Sequence, residues 1–389
     1  MRCAGRAEGD KMMKKVLLVT HVGDFIPQFE MKNVQYLQSI GYEVHYAADF
    51  TQSSYGSSGT RLKGSGVICH QIPFERSPFK IKNFHAYRML QELLASEHFE
   101  LIHCHTPMGG AMARLAGRKY RKRGMKIIYT AHGFHFFKGA PLINWMIYYP
   151  VERLLSRWTD VQITINREDY QRARSFHAGK VVRIPGVGIN LSAARERKLA
   201  DREAFRRSLG VEPGDFCLLS VGELDANKNH MAVLEALQKM DRTGIRYLIC
   251  GKGCLRDRLA AEIADKGLSD CVSMLGYRND VAQLYEAADL FVFPSRREGL
   301  SVALMESMAK GLPALVSRIR GNVDLIEEGR GGILVSAKDP DEFAEGIRRL
   351  KRDPECCRRM GAYNQRAVVR YDTCEVEKVM SRIYDEVLR

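Results

Sequence analysis

Short apolar runs alternate with longer amphipathic segments along the chain, in two successive series. The first series predicts β-strands over 16–20, 43–47, 67–72, 101–105, 126–130, 161–165 and 181–184. The second series predicts strands over 216–221, 246–250, 272–275, 290–293, 314–316 and 332–335. Because helical patterns separate most of these runs, the sequence predicts βαβ units, parallel sheets and an α/β fold.

The alternation weakens and charge rises over 185–198, which we interpret as a linker between two domains. A chain of 389 residues has the length of two domains of roughly 150–200 residues each. The Ser- and Gly-rich stretch 52–66 predicts a mobile loop. The predicted boundaries are 1–11 for a polar tail, 12–190 for an N-terminal Rossmann-like domain, 191–370 for a second, and 371–389 for a C-terminal helix that packs back on the N-terminal domain.

Composition places the protein among cytoplasmic proteins with anionic partners. No run approaches the roughly 20 apolar residues of a membrane span, and the N-terminus lacks the apolar core of a secretory signal. The ten cysteines lack paired spacing apart from two close pairs, which indicates reduced thiols. The net charge of +14 favours nucleotides, lipid phosphates or nucleic acid as partners.

Two segments of the first domain have alternative interpretations. The densest basic run comprises Arg114, Arg118, Lys119, Arg121, Lys122, Arg123 and Lys126, and it is typical of a solvated helix face. The aromatic-rich segment 140–155 is typical of core packing. The alternative is that both segments contact an anionic membrane surface at the inner face of the plasma membrane, which would bring in a lipid-linked acceptor.

Open α/β sheets bind ligands at the carboxyl ends of their strands, and the segment 292–306 is such a place. A buried strand is followed by a polar turn and by an apolar helix that we expect to begin near Gly299. Glu298 and Glu306 then lie on the order of 10 Å apart, which matches the two ends of a nucleotide sugar. The amide groups from Gly299 through Leu300 to Ser301 would receive a diphosphate without a metal.

The spacing of Glu298 and Glu306 resembles the paired-glutamate signature of retaining glycosyltransferase family 4, and the resemblance covers most of the chain. It implies a GT-B fold, in which two Rossmann-like domains face each other across a deep cleft. It also implies that Glu298 approaches the donor sugar and Glu306 hydrogen-bonds the ribose. Bacterial members that build capsule or exopolysaccharide suggest a UDP-hexose or UDP-N-acetylhexosamine donor and a saccharide or polyprenyl-linked acceptor.

The loop 220–230 carries a second candidate, Lys228, a cation that follows a strand end. The resemblance implies an Arg just after the glycine and a Lys several residues on, both bound to the donor diphosphate. Lys228 matches, but Glu223 stands where the Arg is usual. A carboxylate cannot replace a guanidinium at an anion, so we expect Arg296 or Arg297 to supply the missing cation.

His132 and Gly23 are the candidates in the first domain, each directly after a predicted strand. As ordinary turn residues neither needs a ligand. The resemblance implies that His132 lies near the hydroxyls of the donor sugar, and that Gly23 lets the backbone face the ligand. Weaker donor-site candidates follow strands of the second domain, namely Gly251, Lys252, Tyr277 and Arg278.

Lys228, Glu298 and His132 are therefore the predicted catalytic residues. We expect no metal, because His103, His105, His132 and His135 have no cysteine or acidic partner at ligand spacing. No residue suggests a covalent nucleophile, so transfer on the leaving-group side is expected. A UDP-sugar 2-epimerase of the same fold is the main alternative. A nucleic-acid-binding module is disfavoured, because no basic stripe is interleaved with aromatic residues.

Overall fold

The computed structural model of the protein describes residues 13–51, 61–196 and 199–389. The predicted tail at 1–11 lies outside the described residues, and so do positions 52–60 of the predicted loop and the last two positions of the predicted linker. The chain forms two compact units. The N-terminal unit runs to Thr164 and adds Tyr170–Ile184 and Glu377–Arg389, and the C-terminal unit comprises Ile165–Asp169 and Pro185–Val376.

The N-terminal unit is built on a seven-stranded parallel sheet. In chain order its strands are β1 (Lys15–Val19), β2 (Glu43–Ala48), β3 (Ile68–Gln71), β4 (Phe99–His105), β5 (Lys126–Ala131), β6 (Val161–Thr164) and β7 (Lys180–Arg183). Their order across the sheet is β3-β2-β1-β4-β5-β6-β7. The order changes direction between β1 and β4, and sheets of this kind bind ligands at such a switch point.

Helices connect these strands and cover the sheet. They are α1 (Phe25–Phe29), α2 (Met31–Ser39), α3 (Lys82–Ser96), α4 (Pro107–Gly117), α5 (Leu142–Leu155) and α6 (Arg167–Ala173), with 3-10 turns at Arg121–Arg123 and Ser156–Trp158. Ala86 of α3, Met112 of α4 and Trp145 of α5 join one hydrophobic cluster with the sheet. These three helices therefore cover the same face of the sheet.

The C-terminal unit is built on a six-stranded parallel sheet of order β10-β9-β8-β11-β12-β13. Its strands are β8 (Phe216–Val221), β9 (Ile245–Cys250), β10 (Val272–Gly276), β11 (Leu290–Phe293), β12 (Ala314–Ser317) and β13 (Gly332–Val335). Two hydrophobic clusters pack against this sheet.

Helices α7 to α15 belong to the C-terminal unit, and α16 begins in it. They are α7 (Leu191–Glu196), α8 (Arg202–Ser208), α9 (Met231–Gln238), α10 (Arg256–Asp265), α11 (Val281–Ala287), α12 (Val302–Ala309), α13 (Asn322–Leu325), α14 (Pro340–Arg352), α15 (Pro354–Ala367) and α16 (Thr373–Leu388), with a 3-10 turn at Val368–Tyr371. Buried residues of α14 such as Phe343 and Ile347 join one of the clusters on this sheet.

The predicted α/β fold is confirmed, and every predicted strand is present. The largest difference is two residues, because β4 begins at Phe99 rather than at 101. The predicted linker instead contains helix α7, and Ile189 forms a bridge with Asp372. In helix α16, the buried Tyr384 lies within the N-terminal unit, where its hydroxyl is 2.7 Å from Nδ1 of His103.

The sequence predicted that the basic run in the first domain is one solvated helix face, and this prediction is wrong. Helix α4 ends at Gly117, and Arg114 is fully buried. Its guanidinium lies 2.9 Å from the carboxylate of Glu152 and stacks over the ring of Tyr129. A buried charge persists when it is paired in this way, so Arg114 belongs to the core while Arg118 and Lys122 are exposed.

Helix α5 is only partly a core helix, so the prediction of core packing for 140–155 is wrong for half of its residues. Trp145, Tyr148 and Tyr149 pack against the cluster under the sheet. The opposite face exposes Leu142, Ile143, Met146, Ile147, Val151 and Leu154. Among the described residues, every helix falls short of the length and apolar character that crossing a membrane requires.

Candidate active site

In the C-terminal unit, the loops that follow β8 and β11 lie side by side because these strands are neighbours in the sheet. The side chain of Asn227 donates to the carbonyl of Arg297 at 2.9 Å, and the amide of Arg296 donates to the carbonyl of Asn227 at 2.8 Å. Asn229, with a positive φ of 55°, donates to the carbonyl of Pro294. Asn is one of the few side chains that adopt this backbone conformation readily. The two loops are thus fixed to each other.

This junction joins two of the predicted catalytic residues. Nζ of Lys228 lies 2.7 Å from Oε1 of Glu298 and 4.8 Å from the centre of the Phe293 ring. The side chains of Lys228 and Glu298 are exposed by 18% and 13%, so the pair is largely buried but still accessible to solvent. An incoming anion can therefore compete with Glu298 for the ammonium group.

The helix after this turn begins later than the sequence suggested. Helix α12 starts at Val302, with Ser301 as its N-cap residue, so the expectation of a start near Gly299 is wrong. Oγ of Ser301 accepts from the amide of Leu304 at 3.3 Å. Serine is among the preferred N-cap residues, which explains the boundary. Gly299 and Leu300 thus precede the helix, and the unpaired first-turn amides by helix geometry are those of Val302 and Ala303.

Glu306 lies on α12, where Tyr285 of α11 donates a hydrogen bond to its Oε2 at 3.2 Å. Burial raises the pKa of Glu306, and the hydrogen bond from Tyr285 opposes this shift. The hydroxyl of Tyr285 also contacts the carbonyl of Ala303 at 3.0 Å. Tyr285 therefore fixes both the carboxylate and the first turn of the helix.

Arg320 is a site residue that sequence reasoning missed. Its Nε donates to the carbonyl of Glu298 at 3.1 Å, and its Nη1 lies 2.6 Å from the buried carboxylate of Asp169. A Cβ on the next residue, Gly321, would lie 2.4 Å from the carbonyl of Gly299, so the two turns are in close contact. Arg320 thereby positions the backbone that carries Glu298. An arginine before a glycine carries no sequence signal of this role.

Gly251 and Lys252 follow β9 and adjoin the loop after β8. A Cβ on Gly251 would lie 1.8 Å from the carbonyl of Gly222, so only glycine fits there. The carbonyl of Lys252 accepts from the amide of Leu224 at 2.9 Å. The structure therefore gives Gly251 a packing role, whether or not a ligand is bound.

Three further donor candidates lie around these loops. Nζ of Lys252 is 5.3 Å from the centre of the exposed Tyr277 ring. Arg278 pairs with Asp280 at 2.5 Å, and this pairing raises the pKa of Arg278 and lowers that of Asp280. Glu223 is exposed. Arg296 and Arg297 are the two candidates for the missing cation. Arg296 is exposed and donates from Nε to Asn229 at 3.1 Å, and Arg297 is half-buried.

In the N-terminal unit, His132 lies directly after β5 and contacts His105, the last residue of the neighbouring β4. Nε2 of His132 is 3.2 Å from Nδ1 of His105. Burial lowers the pKa of His132 to about 4 and lowers that of His105. His132 is therefore a neutral imidazole at neutral pH.

Glu30 joins this pair, although no sequence argument pointed to it. Its Oε1 lies 3.7 Å from Nδ1 of His105, and burial raises the pKa of Glu30 to about 7. The expectation that the histidines have no acidic partner is therefore wrong. Glu30 sits between two helices rather than at a strand end, and only tertiary packing brings it to the histidines.

Donor atoms of Glu30, His105 and His132 lie within 4.8 Å of one another, which is close enough to hold a metal ion. The contacts fit a hydrogen-bonded group better. The two histidine nitrogens face each other at hydrogen-bond distance, and the other carboxylate oxygen of Glu30 accepts from Asn33. Within the described residues, Nε2 of His105 has no hydrogen-bond partner, whereas metal-bound histidines donate their second N–H to a carboxylate or carbonyl.

Gly23 follows β1, and its amide donates to the carbonyl of Asp49 at 2.8 Å. A Cβ at this position would lie 2.9 Å from Cα of Phe50, so glycine permits the close approach of two strand-end loops. This contact accounts for the glycine through packing alone. Its predicted contact with a donor stays a prediction.

Comparisons with known proteins agree with this architecture. The model of "Glycosyltransferase Family 4" matches residues 33–192, and that of "Glycosyl transferases group 1" matches residues 201–367. EpsD of Bacillus subtilis (strain 168), named as a glycosyltransferase, is 35% identical over 377 residues, which cover 96% of this chain and 97% of EpsD.

Two other proteins illustrate the range of the similarity. The UDP-Gal:alpha-D-GlcNAc-diphosphoundecaprenol alpha-1,3-galactosyltransferase of Escherichia coli is 28% identical over 283 residues, which cover 70% of this chain and 72% of that enzyme. The structure of HepE of Anabaena in complex with UDP and glucose has a TM-score of 0.78 and 18% identity, and covers 96% of this chain and 100% of HepE. At this identity the HepE comparison shows the fold alone.

Two parallel-sheet Rossmann-like units and these matches define the class: the protein is an enzyme of the GT-B glycosyltransferase fold. The chain belongs to glycosyltransferase family 4, since EpsD is similar over nearly the full length of both chains.

Proposed function

We propose that the enzyme transfers a hexose or N-acetylhexosamine from a UDP-sugar to a saccharide or polyprenyl-linked acceptor, with retention of configuration, in the synthesis of a surface polysaccharide on the cytoplasmic side of the membrane. The observation that carries this proposal is the Lys228–Glu298 pair in the loops that follow the central strands β8 and β11 of the C-terminal sheet. The Escherichia coli galactosyltransferase supports the substrate classes, since its name gives UDP-Gal as the donor and a diphosphoundecaprenol-linked sugar as the acceptor.

The departing nucleoside diphosphate carries the largest charge of the reaction. The ammonium of Lys228 and the first-turn amides of α12 supply positive charge to it, and the end of the helix dipole adds to their effect. Phosphate binding replaces Glu298 as the partner of Lys228. No divalent metal is needed for this neutralisation.

Release from Lys228 leaves the Glu298 carboxylate at the sugar. There it accepts hydrogen bonds from sugar hydroxyls and stabilises positive charge at the anomeric carbon. Arg320 keeps the Glu298 backbone in place through its bond to the carbonyl. The acceptor hydroxyl attacks on the side that the diphosphate leaves, so the transfer proceeds without a covalent sugar–enzyme intermediate.

Glu306 and His132 bind hydroxyl groups of the donor. Glu306, fixed by Tyr285, accepts hydrogen bonds from the ribose hydroxyls. His132 holds a sugar hydroxyl as a neutral imidazole, because burial keeps its pKa at about 4. A neutral imidazole orients the sugar without adding a positive charge of its own.

Thermal unfolding with UDP, GDP and a panel of nucleotide sugars tests the donor assignment. A ligand that binds only the native state stabilises it by about 2.7 kcal/mol at a hundred times its Kd. We expect UDP and one UDP-sugar to raise the Tm of the wild type, and Lys228→Ala to remove the increase while it still folds.

Lys239→Ala is the matched control, since Lys239 also pairs with a carboxylate, that of Asp341 at 2.9 Å, but is exposed. It should keep the full response to UDP. A protein that no nucleotide diphosphate stabilises would contradict the proposal.

A further inference from the structure

The outer face of helix α5 is apolar along its whole length. Six residues on this face are exposed: Leu142 by 80%, Ile143 by 55%, Met146 by 73%, Ile147 by 37%, Val151 by 46% and Leu154 by 47%. Their spacing places them on one side of the helix, while the aromatic residues of the other side pack on the core. Contiguous apolar surface of this kind marks an interaction site.

A second exposed apolar group lies at the start of α3. Phe79 is exposed by 82%, Ile81 by 91% and Phe84 by 68%, and lysines at 80 and 82 alternate with them. Crossover helices run opposite to the parallel strands that they connect, so α3 and α5 both begin at the carboxyl edge of the sheet. Since both helices pack on the same face, the two groups belong to one side of the N-terminal unit.

Exposed basic residues border this surface at two places and form its basic rim, although one of them, Lys82, lies 3.6 Å from Glu75. Near the start of α3, the exposed basic residues are Arg76, Lys80, Lys82 and Arg88, and near the end of α5 they are Arg118, Lys122, Arg123, Arg153 and Arg157. Helix α5 has one acidic residue, Glu152, which is buried and paired with Arg114. An apolar face with a basic rim complements an anionic lipid surface.

We propose that the outer face of α5 and the start of α3 together dock the enzyme on an anionic phospholipid bilayer. Helix α5 has 14 residues and is about 21 Å long, which is less than the roughly 30 Å hydrocarbon thickness, so it lies in the plane of the interface. This inference rests on the proposed function in one respect: docking brings the site to a lipid-linked acceptor.

A second copy of the chain is a poorer occupant. A two-fold interface places the same surface of each copy against the other. The basic rim of one copy would then face the basic rim of its partner, and like charges at an interface oppose association. Lipid phosphates neutralise the same rim.

Sedimentation of the full-length protein with vesicles tests the proposal. Vesicles of phosphatidylcholine with phosphatidylglycerol are compared with vesicles of phosphatidylcholine alone. We expect binding to the anionic vesicles and a decrease with added salt, because exposed charges are screened.

Variants identify the surface. Ile143→Ser and Met146→Ser should each weaken vesicle binding roughly tenfold, because each removes an apolar side chain from the interface. Lys80→Gln and Lys82→Gln should weaken it roughly fivefold for each charge. The control is the double variant Ile40→Ser, Ile68→Ser. These two isoleucines are also exposed but lie near the amino ends of β2 and β3, so the variant should bind vesicles as the wild type does.

Stabilisation by UDP, measured on the same variants, separates this proposal from the donor assignment. Variants that lose vesicle binding and keep the response to UDP support docking through this surface. Wild-type protein that stays in solution with anionic vesicles, or apolar variants that bind equally well, would overturn it. So would a dimer, seen by light scattering, that Met146→Ser dissociates. Failure of every nucleotide sugar with intact vesicle binding would count against the donor assignment only.

Discussion

The two units present chemically different groups at the carboxyl edges of their sheets. In the C-terminal unit, Lys228 and Glu298 are a charged pair whose partners both keep some exposure. In the N-terminal unit, His132, His105 and Glu30 are in contact. Burial lowers the pKa of both histidines and raises that of Glu30, so it favours the neutral form of all three. The C-terminal group is suited to exchanging one anion for another. The N-terminal group is suited to hydrogen bonding and responds to pH.

The largest expected effect comes from breaking the charged pair. Lys228→Ala should lower the turnover of a UDP-sugar on the order of a thousandfold, because it removes the ammonium group from the leaving group and leaves the Glu298 carboxylate unpaired. Initial rates with the donor identified by thermal unfolding provide the measurement. Lys239→Ala is again the control, and a loss of less than about tenfold for Lys228→Ala would contradict the assigned role.

Glu298→Gln should separate binding from chemistry. We expect kcat to fall roughly a hundredfold, since the carboxylate no longer stabilises the sugar cation. The affinity for UDP should stay the same or increase, because Lys228 loses its competing partner. Steady-state kinetics and calorimetric titration with UDP measure the two effects. A weaker affinity for UDP with unchanged kcat would assign Glu298 to donor binding instead.

Glu30 should make the free energy of unfolding depend on pH. The pKa of Glu30 is raised from an ordinary value of 4.5 to about 7. The folded state therefore binds the proton of Glu30 more tightly than the unfolded state does. The resulting stabilisation is complete below pH 4.5 and is lost as the pH rises from there through 7. Glu30→Gln removes this loss. The variant should therefore gain stability relative to wild type between about pH 4.5 and 7, by up to about 3 kcal/mol, with no further change above.

Denaturant unfolding across this pH range measures the effect, with the exposed Glu92→Gln as a control. The histidine shifts have the opposite sign: a pKa lowered to about 4 makes His132 destabilising as pH falls below its unfolded value. Both proteins contain His132, so their difference isolates Glu30. A difference that does not change with pH would mean that Glu30 is ionised throughout.

The smallest expected effect concerns the hydrogen bond between Tyr285 and Glu306 of α12. Tyr285→Phe removes the hydrogen bond to Glu306 and leaves the ring in the core. A hydrogen bond of this kind contributes about 1 kcal/mol, so UDP should bind roughly fivefold more weakly. Titration with UDP and with uridine should show the same change if Glu306 contacts the ribose. An unchanged affinity for both would remove Glu306 from the donor site.

The strands could be predicted because each is a short apolar run, and parallel buried strands leave that signal directly in the sequence. Lys228 and Glu298 could be nominated one at a time, since each follows a strand. Their contact could not be derived from the pattern, because it depends on β8 and β11 being neighbours although they are distant in the chain.

Other site features depend on tertiary packing. Glu30 reaches the histidines of the N-terminal unit from a helix junction, and Arg320 reaches Glu298 of the C-terminal unit from a turn, and neither position has a periodic signal. Gly299 marks a turn but not the helix boundary, since Ser301 is the residue whose side chain caps α12. The sequence of α5 does not distinguish its two faces, because both are apolar and only the aromatic face packs on the core.

Calorimetric titration of UDP and uridine into wild-type protein and Lys228→Ala tests the central claim most directly, because the two ligands differ only in the diphosphate. The account predicts that Lys228→Ala weakens UDP binding on the order of a hundredfold and leaves uridine binding unchanged. Equal UDP affinity in both proteins would contradict it, since the diphosphate would then bind away from Lys228.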